Sequence, residues 1–99
     1  MRAFEVDGMN AEEFVQRAGA ALAQRDLGDV VSVTREDEEL VITLTRMGTS
    51  ELRFTIESLP DGFRATPGEQ RISPFHAPFL GAFEQGFADV LAHLGARLA

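Results

Sequence analysis

The chain has 99 residues, 44% of them hydrophobic and 25% charged, which is the balance of one folded domain rather than of a disordered acidic tail. Nine basic against sixteen acidic residues give a net charge of −7. That balance argues against nucleic acid and anionic membranes as partners, because both are bound chiefly through cationic surface. The absence of cysteine excludes disulfides, thiolate metal sites and cysteine nucleophiles.

The first residues do not read as a secretion signal, because Glu5 and Asp7 interrupt the apolar stretch that such a signal requires. No segment approaches the roughly 20 apolar residues of a membrane span. The chain also lacks lysine, which excludes Schiff-base chemistry and the lysine of a phosphate-binding loop. We therefore expect a cytoplasmic protein with a single α+β domain over residues 1–99.

A predicted strand and a predicted helix open the chain. The strand covers residues 2–6 and is expected at an edge of the sheet. Asn10 then offers an N-cap oxygen, and Glu13 occupies the capping-box position three residues later. The following pattern predicts an amphipathic helix over residues 11–26 that ends near Gly28. Its apolar stripe consists of Ala11, Phe14, Val15, Ala18, Ala21 and Leu22.

Two alternating segments, residues 30–35 and 40–46, predict a β-hairpin around the acidic run 36–39. If the four acids form the loop, Val33 faces Ile42 and the large apolar residues share one face of the sheet. A one-residue slip destroys this agreement, so the pattern specifies the register. The acidic run lacks the alternate spacing and central glycine of a calcium loop, which favours a solvated hairpin tip over a metal site.

Two more strands are expected after this hairpin. The third alternates like the first two and points Leu52, Phe54 and Ile56 inward. Residues 59–62, with the sequence Leu-Pro-Asp-Gly, are typical of a type I turn. A short fourth strand follows and is expected to end at Pro67, since proline cannot donate to a strand ladder. Its inward residues are Phe63 and Ala65.

The last predicted element is a long amphipathic helix. Proline suits the first position of a helix, so the helix is expected to begin at Pro78 and to continue through Leu98, after an ordered connection at 68–77. A stripe about 120° wide carries its apolar residues. These residues are Phe79, Leu80, Phe83, Phe87, Val90, Leu91, Leu94 and Leu98.

These elements predict a two-layer α+β sandwich with the order β-α-β-β-β-β-α. An antiparallel meander of four or five strands has one apolar face, and both helices are expected to cover that face. Most of the eight phenylalanines map to this interface, which supplies a core without metal, cofactor or disulfide.

The layout resembles two groups of small acidic proteins, the type III secretion chaperones and the small proteins of the polyhydroxyalkanoate granule system. The resemblance lies in size, acidity and element order, with Asn10 to Leu22 and Pro78 to Leu98 as the flanking helices. No residue motif carries it, and the chain lacks room for the additional elements of a typical secretion chaperone. It therefore implies an architecture and assigns no function.

Small residues form a second stripe on the C-terminal helix, opposite the phenylalanines. Each internal glycine destabilises a helix by about 1 kcal/mol relative to alanine, so glycines at these positions need an explanation. Three readings stay open: packing of the two helices side by side, pairing of helices across a homodimer, and filler on a solvated surface. The stripe consists of Gly81, Ala88, Ala92 and Gly95, and a weaker one on the first helix consists of Gly19, Ala20, Ala23 and Leu27.

Two further features are candidate binding sites. Arg53 and Arg64, on the outer sheet face, form either a cationic spot for an acidic partner or cross-strand pairs with Glu51 or Glu57. The second candidate is a site for an apolar ligand between the sheet and the C-terminal helix. The alternative interpretation is that the core is fully packed there and leaves no such site. The residues expected to line such a ligand are Phe79, Phe83 and Phe87.

Titratable residues offer little for catalysis. His93 lies one helical turn after Asp89, at the spacing that orients an imidazole, and His76 lies between two prolines. No serine, threonine or cysteine nucleophile accompanies them in a recognisable context. We predict no catalytic residue, no metal ligand and no cofactor.

The sequence favours a non-enzymatic, acidic protein-interaction module, adaptor-like or chaperone-like, that forms a homodimer or binds another protein. One alternative is a binder of a small apolar ligand in a sheet–helix cavity. The other is an enzyme whose site is shared across a dimer and uses His93, Asp89 and Arg97.

Overall fold

A computed structural model describes residues 1–98 as a six-stranded antiparallel sheet with two α-helices. The strand order is β2-β3-β4-β5-β1-β6. Buried residues of both helices join the inward residues of the strands in one core, which confirms the α+β sandwich. The elements are β1 (Phe4–Asp7), α1 (Ala11–Gln24), β2 (Val31–Glu36), β3 (Glu39–Thr45), β4 (Thr49–Leu59), β5 (Gly62–Arg71), a short 3-10 helix (Ala77–Phe79), α2 (Leu80–His93) and β6 (Ala96–Leu98).

The predicted hairpin register is confirmed. Val33 pairs with Ile42, and the ladder continues through the pair Glu36–Glu39. The loop is therefore two residues long rather than four, and Asp37 turns the chain with a φ of 54°. Because the loop shortens symmetrically, the alternation that sends the apolar residues inward is unchanged.

The first strand is internal, and its prediction as an edge strand is wrong. β1 pairs antiparallel with β5 on one side and with β6 on the other. The sheet thus has six strands instead of four or five, and β2 and β6 form its edges. The reason is that residues Ala96–Leu98 return as β6 rather than continuing the helix.

Pro67 does not end β5, contrary to the sequence prediction. Phe54 of β4 pairs with Pro67, whereas Leu52 pairs with Gln70, so β5 contains one more residue than β4 over this stretch. This β-bulge accommodates a residue that has no N–H to donate. β5 therefore extends to Arg71, and the predicted connection at 68–77 shrinks to the residues just before the 3-10 helix.

The start of α1 follows the predicted capping pattern. The Oδ1 of Asn10 accepts a hydrogen bond from the backbone N–H of Glu13 at 2.9 Å. The helix ends at Gln24, two residues early, because Asp26 adopts a φ of 58°. The N–H of Leu27 then donates to the carbonyl of Leu22 at 2.9 Å, which closes a Schellman motif.

The C-terminal helix is shorter than predicted at its far end. α2 stops at His93, and Gly95 follows with a φ of 81°, the left-handed conformation that favours glycine after a helix. The chain reverses there, so that Leu98 pairs with Phe4 in the sheet instead of extending the apolar stripe. Gly95 is thus a helix terminator and not part of a helical stripe.

An aromatic cluster forms the centre of the core. The ring of Phe4 lies 5.8 Å from that of Phe14, 5.4 Å from Phe54 and 6.5 Å from Phe63. This cluster joins β1, α1, β4 and β5. Phe75 and Phe79 lie outside it and are exposed, so not all of the phenylalanines reach the sheet–helix interface.

The helices within residues 1–98 are too short or too polar to cross a membrane.

Candidate functional site

A large apolar groove opens between the two helices at one end of the sheet, with a volume of about 720 Å³. The C-terminal end of α1 and the loop after it form one wall, β2 and β3 supply the floor, and the segment leading into α2 forms the other wall. Its lining consists of Leu22, Leu27, Val30, Val31, Leu44, Arg46, Met47, Phe75, His76, Phe79, Leu80, Ala82, Phe83, Gly86 and Phe87. They define the apolar groove.

The groove exists because only the second half of α2 packs against the sheet. Phe87, Val90 and Leu91 are buried, whereas Phe83 is half-buried and Phe79 is 68% exposed. The apolar stripe of the helix therefore leaves the core progressively toward its N-terminus. The three predicted lining residues, Phe79, Phe83 and Phe87, all border the resulting gap.

Three large apolar side chains stand exposed at the rim of the groove. Met47 is 76% exposed, Phe75 is 62% exposed, and Phe79 completes the set. Met47 also has a φ of 56°, a backbone conformation that residues other than glycine, asparagine and aspartate seldom adopt. The β3–β4 turn therefore holds an exposed apolar side chain at the rim of the groove.

His76 forms hydrogen bonds to two other residues at the rim, one through each ring nitrogen. Its Nε2 lies 2.5 Å from the carbonyl oxygen of Arg46, and because a carbonyl only accepts, Nε2 carries the hydrogen. Nδ1 is hydrogen-bonded to the hydroxyl of Ser50, also at 2.5 Å. Ser50 is fully buried and accepts in turn from the backbone N–H of Ser73 at 2.8 Å. This chain of hydrogen bonds holds the segment before α2 against the β3–β4 turn.

Comparison of the chain with protein-family models, with curated proteins and with solved structures finds no match.

The predicted small-residue stripe does not pack within the chain. Gly81, Ala92 and Gly95 are exposed, and Ala88 is half-buried. A Cβ built at Gly81 or at Gly95 meets no atom within 4 Å. Side-by-side packing of α1 and α2 through this stripe is thus not seen in residues 1–98, and the readings as a homodimer face or as solvated filler remain.

The predicted cationic pair is engaged in ion pairs. Arg53 contacts the carboxylates of Glu51 at 3.0 Å and of Glu36 and Glu39 at 3.3 Å. The hydrogen bond to Glu51 raises the pKa of the Arg53 guanidinium above its ordinary value. Arg64 contacts Glu5, on β1, at 3.5 Å. The contacts with Glu36, Glu39 and Glu5 join different strands, so neither guanidinium is a free anion site. The predicted partners are only partly correct, because Glu51 lies on the same strand as Arg53 and Arg64 pairs with Glu5 rather than with Glu57.

The residues of the hypothetical shared active site do not converge within one chain. The side chains of His93 and Asp89 are exposed, and neither side chain makes a hydrogen bond or ion pair within residues 1–98. Arg97 instead contacts Asp7 at 3.0 Å and Glu5 at 3.4 Å. Residues 1–98 also contain no cluster of three histidine or acidic side chains placed to hold a metal ion.

Sequence reasoning placed the phenylalanine wall of the groove but missed its rim. Arg46 is the last residue of the predicted strand 40–46 and Met47 follows it, whereas Phe75 and His76 lie in the predicted connection at 68–77, which has no periodicity. The available signal was the pair of prolines around Phe75-His76-Ala77, because a segment restricted by two prolines presents its side chains with little loss of entropy.

Proposed function

We propose that this chain is a non-enzymatic cytoplasmic binding protein that holds a small apolar ligand in the apolar groove. The observation that carries the proposal is a groove of about 720 Å³ whose lining is apolar apart from Arg46 and His76. Ligand sites commonly occupy roughly 300–1,000 Å³ and combine apolar walls with a few polar groups. This groove has that size and that composition.

The exposed rim supplies a driving force for binding. Fully burying a phenylalanine or methionine side chain contributes about 1.5–3 kcal/mol relative to leaving it in water. Met47, Phe75 and Phe79 forgo most of that contribution in the unliganded chain, because each is more than 60% exposed. A ligand that covers all three recovers it, and this gain supports a ligand-bound state of the protein.

Gly86 offers a direct test, because it lies seven residues after Phe79 and three after Phe83 on α2, facing the groove. A Cβ at Gly86 meets no atom within 4 Å. We therefore expect Gly86→Leu to fold and to fill the groove with its side chain. Gly81→Leu is the matched control, because Gly81 has equally open space but lies on the opposite side of the same helix.

The measurement is titration with Nile red, a neutral dye that fluoresces in apolar sites. The chain has no tryptophan or tyrosine, so its own fluorescence does not interfere. We expect the wild type and Gly81→Leu to bind the dye equally and Gly86→Leu to bind it at least about tenfold more weakly. Mass spectrometry of an organic extract of the natively purified proteins is expected to show a ligand that Gly86→Leu lacks. Equal dye binding by all three proteins, or none by the wild type, contradicts the proposal.

Self-association is a second candidate, favoured by the contiguous exposure of Met47, Phe75 and Phe79. A second copy of the chain seated on this rim would bury the same apolar surface. Light scattering distinguishes the two functions, since a homodimer has twice the 10.8 kDa mass of the chain. If a dimer is found and the rim is its interface, Phe79→Arg is expected to restore the monomer. If the small-residue stripe is the interface, Ala88→Arg is expected to restore it instead. A monomeric wild type rules out this candidate.

A further inference from the structure

The guanidinium of Arg46 has no partner among the described residues, which is unusual in this acidic chain. Arg17, Arg35, Arg53, Arg64, Arg71 and Arg97 each contact a carboxylate. Within residues 1–98, the side chain of Arg46 makes no ion pair and no hydrogen bond, and the same holds for Arg25. Of these two, Arg46 borders the apolar groove and Arg25 does not.

The charge of the groove is opposite to that of the whole chain. The protein carries sixteen acidic residues and a net charge of −7. No aspartate or glutamate lines the groove, whereas one arginine does. A ligand in this groove therefore meets apolar walls along its length and a single cation at the rim, which complements one negative charge.

The backbone of Arg46 is held in place while its side chain is free. Its N–H donates to the carbonyl of Gly48 at 3.1 Å, and its own carbonyl accepts from Nε2 of His76. The rim thus fixes the point from which the guanidinium extends, without using its donors. Such an arrangement leaves the planar fork of the guanidinium available for a bidentate acceptor.

We propose that the ligand is an amphiphile with a long apolar chain and a single terminal carboxylate, and that Arg46 pairs with this carboxylate. The proposal rests on the apolar groove being a ligand site. A carboxylate matches one guanidinium in both charge and geometry, whereas a phosphate monoester carries about two negative charges and would be left partly unneutralised. The apolar chain of the ligand would lie along Phe79 and Phe83.

The test measures displacement of Nile red by dodecanoate and by dodecan-1-ol, at about pH 8 so that the acid is ionised. The quantity compared is the ratio of the two Kd values in the wild type, in Arg46→Met and in Arg25→Met. Methionine keeps much of the length of the side chain and removes its charge. Neither arginine side chain makes an ion pair or hydrogen bond within residues 1–98, so both variants are expected to fold.

We expect Arg46→Met to weaken dodecanoate binding by about fivefold to tenfold and to leave dodecan-1-ol unchanged, which is the size of effect for one partly exposed charge-assisted pair. Arg25→Met is expected to leave the ratio at its wild-type value. An unchanged ratio in Arg46→Met, with both compounds bound, overturns the carboxylate assignment and leaves the apolar ligand site intact. Failure of the dye and of both compounds to bind overturns the ligand site itself, and the carboxylate proposal with it.

Discussion

Phe4→Ala is expected to lower the free energy of unfolding by about 3–5 kcal/mol, the range for removing a fully buried phenylalanine. Phe4 is 0% exposed, and its ring contacts those of Phe14, Phe54 and Phe63. The substitution therefore removes the central member of an aromatic cluster that joins α1 to three strands. Since a domain of this size is stable by about 5–15 kcal/mol, the loss takes a large share of the total.

Urea denaturation followed by far-ultraviolet circular dichroism measures this loss, because the chain has no tryptophan to report on unfolding. Phe79→Ala is the matched control: the same atoms are removed from a side chain that is 68% exposed. Its effect is expected to stay within about 0.5 kcal/mol. Similar losses in the two variants would show that Phe4 is not at the centre of the core.

Gly62→Ala is expected to cost about 3 kcal/mol or more, although it adds a single methyl group. Gly62 begins β5 and pairs with Asp7 of β1. A Cβ at Gly62 would overlap the carbonyl oxygen of Val6 and would lie 2.8 Å from the carbonyl carbon. Those are backbone atoms of the neighbouring strand, so they cannot move aside as the tip of a side chain can, and β1 must separate from β5.

The control for this glycine is Gly86→Ala, which is expected to change stability in the opposite direction. Gly86 lies inside α2 with open space around its Cβ position, so alanine adds helix propensity of up to about 1 kcal/mol. In a domain of this size, 1 kcal/mol corresponds to a rise in Tm of about 4–8 °C. A Gly62→Ala protein that melts like the wild type would show that β1 and β5 are further apart than described.

The groove links the architecture to the proposed function through one property of α2. The helix is apolar along a stripe that is longer than the part of the sheet it covers, so its first turns project beyond the core with Phe79 and Phe83 uncovered on one side. A ligand that binds the folded state in this gap stabilises it by mass action. The aromatic cluster and the buried residues Phe87, Val90 and Leu91 of α2 belong to the core.

Local patterns in the sequence were sufficient to predict most of the secondary structure. The capping of α1 by Asn10 and the pairing of Val33 with Ile42 both follow from interactions between residues that are close in the chain. Alternation of period two and stripes of period 3.6 report which side of an element is apolar. For that reason the α+β sandwich and the apolar stripe that carries Phe79, Phe83 and Phe87 were predictable.

Contacts between distant segments decided the rest. The last residues carry an apolar pattern that continues the helix, yet Gly95 in a left-handed conformation turns them into β6, where they pair with β1 some 90 residues earlier in the chain. That pairing also makes β1 internal and brings Val6 against Gly62. An apolar pattern indicates that a side chain favours burial, but it does not indicate whether the fold provides a surface that buries it. For this reason the exposed rim of Met47, Phe75 and Phe79 became evident only in the tertiary structure.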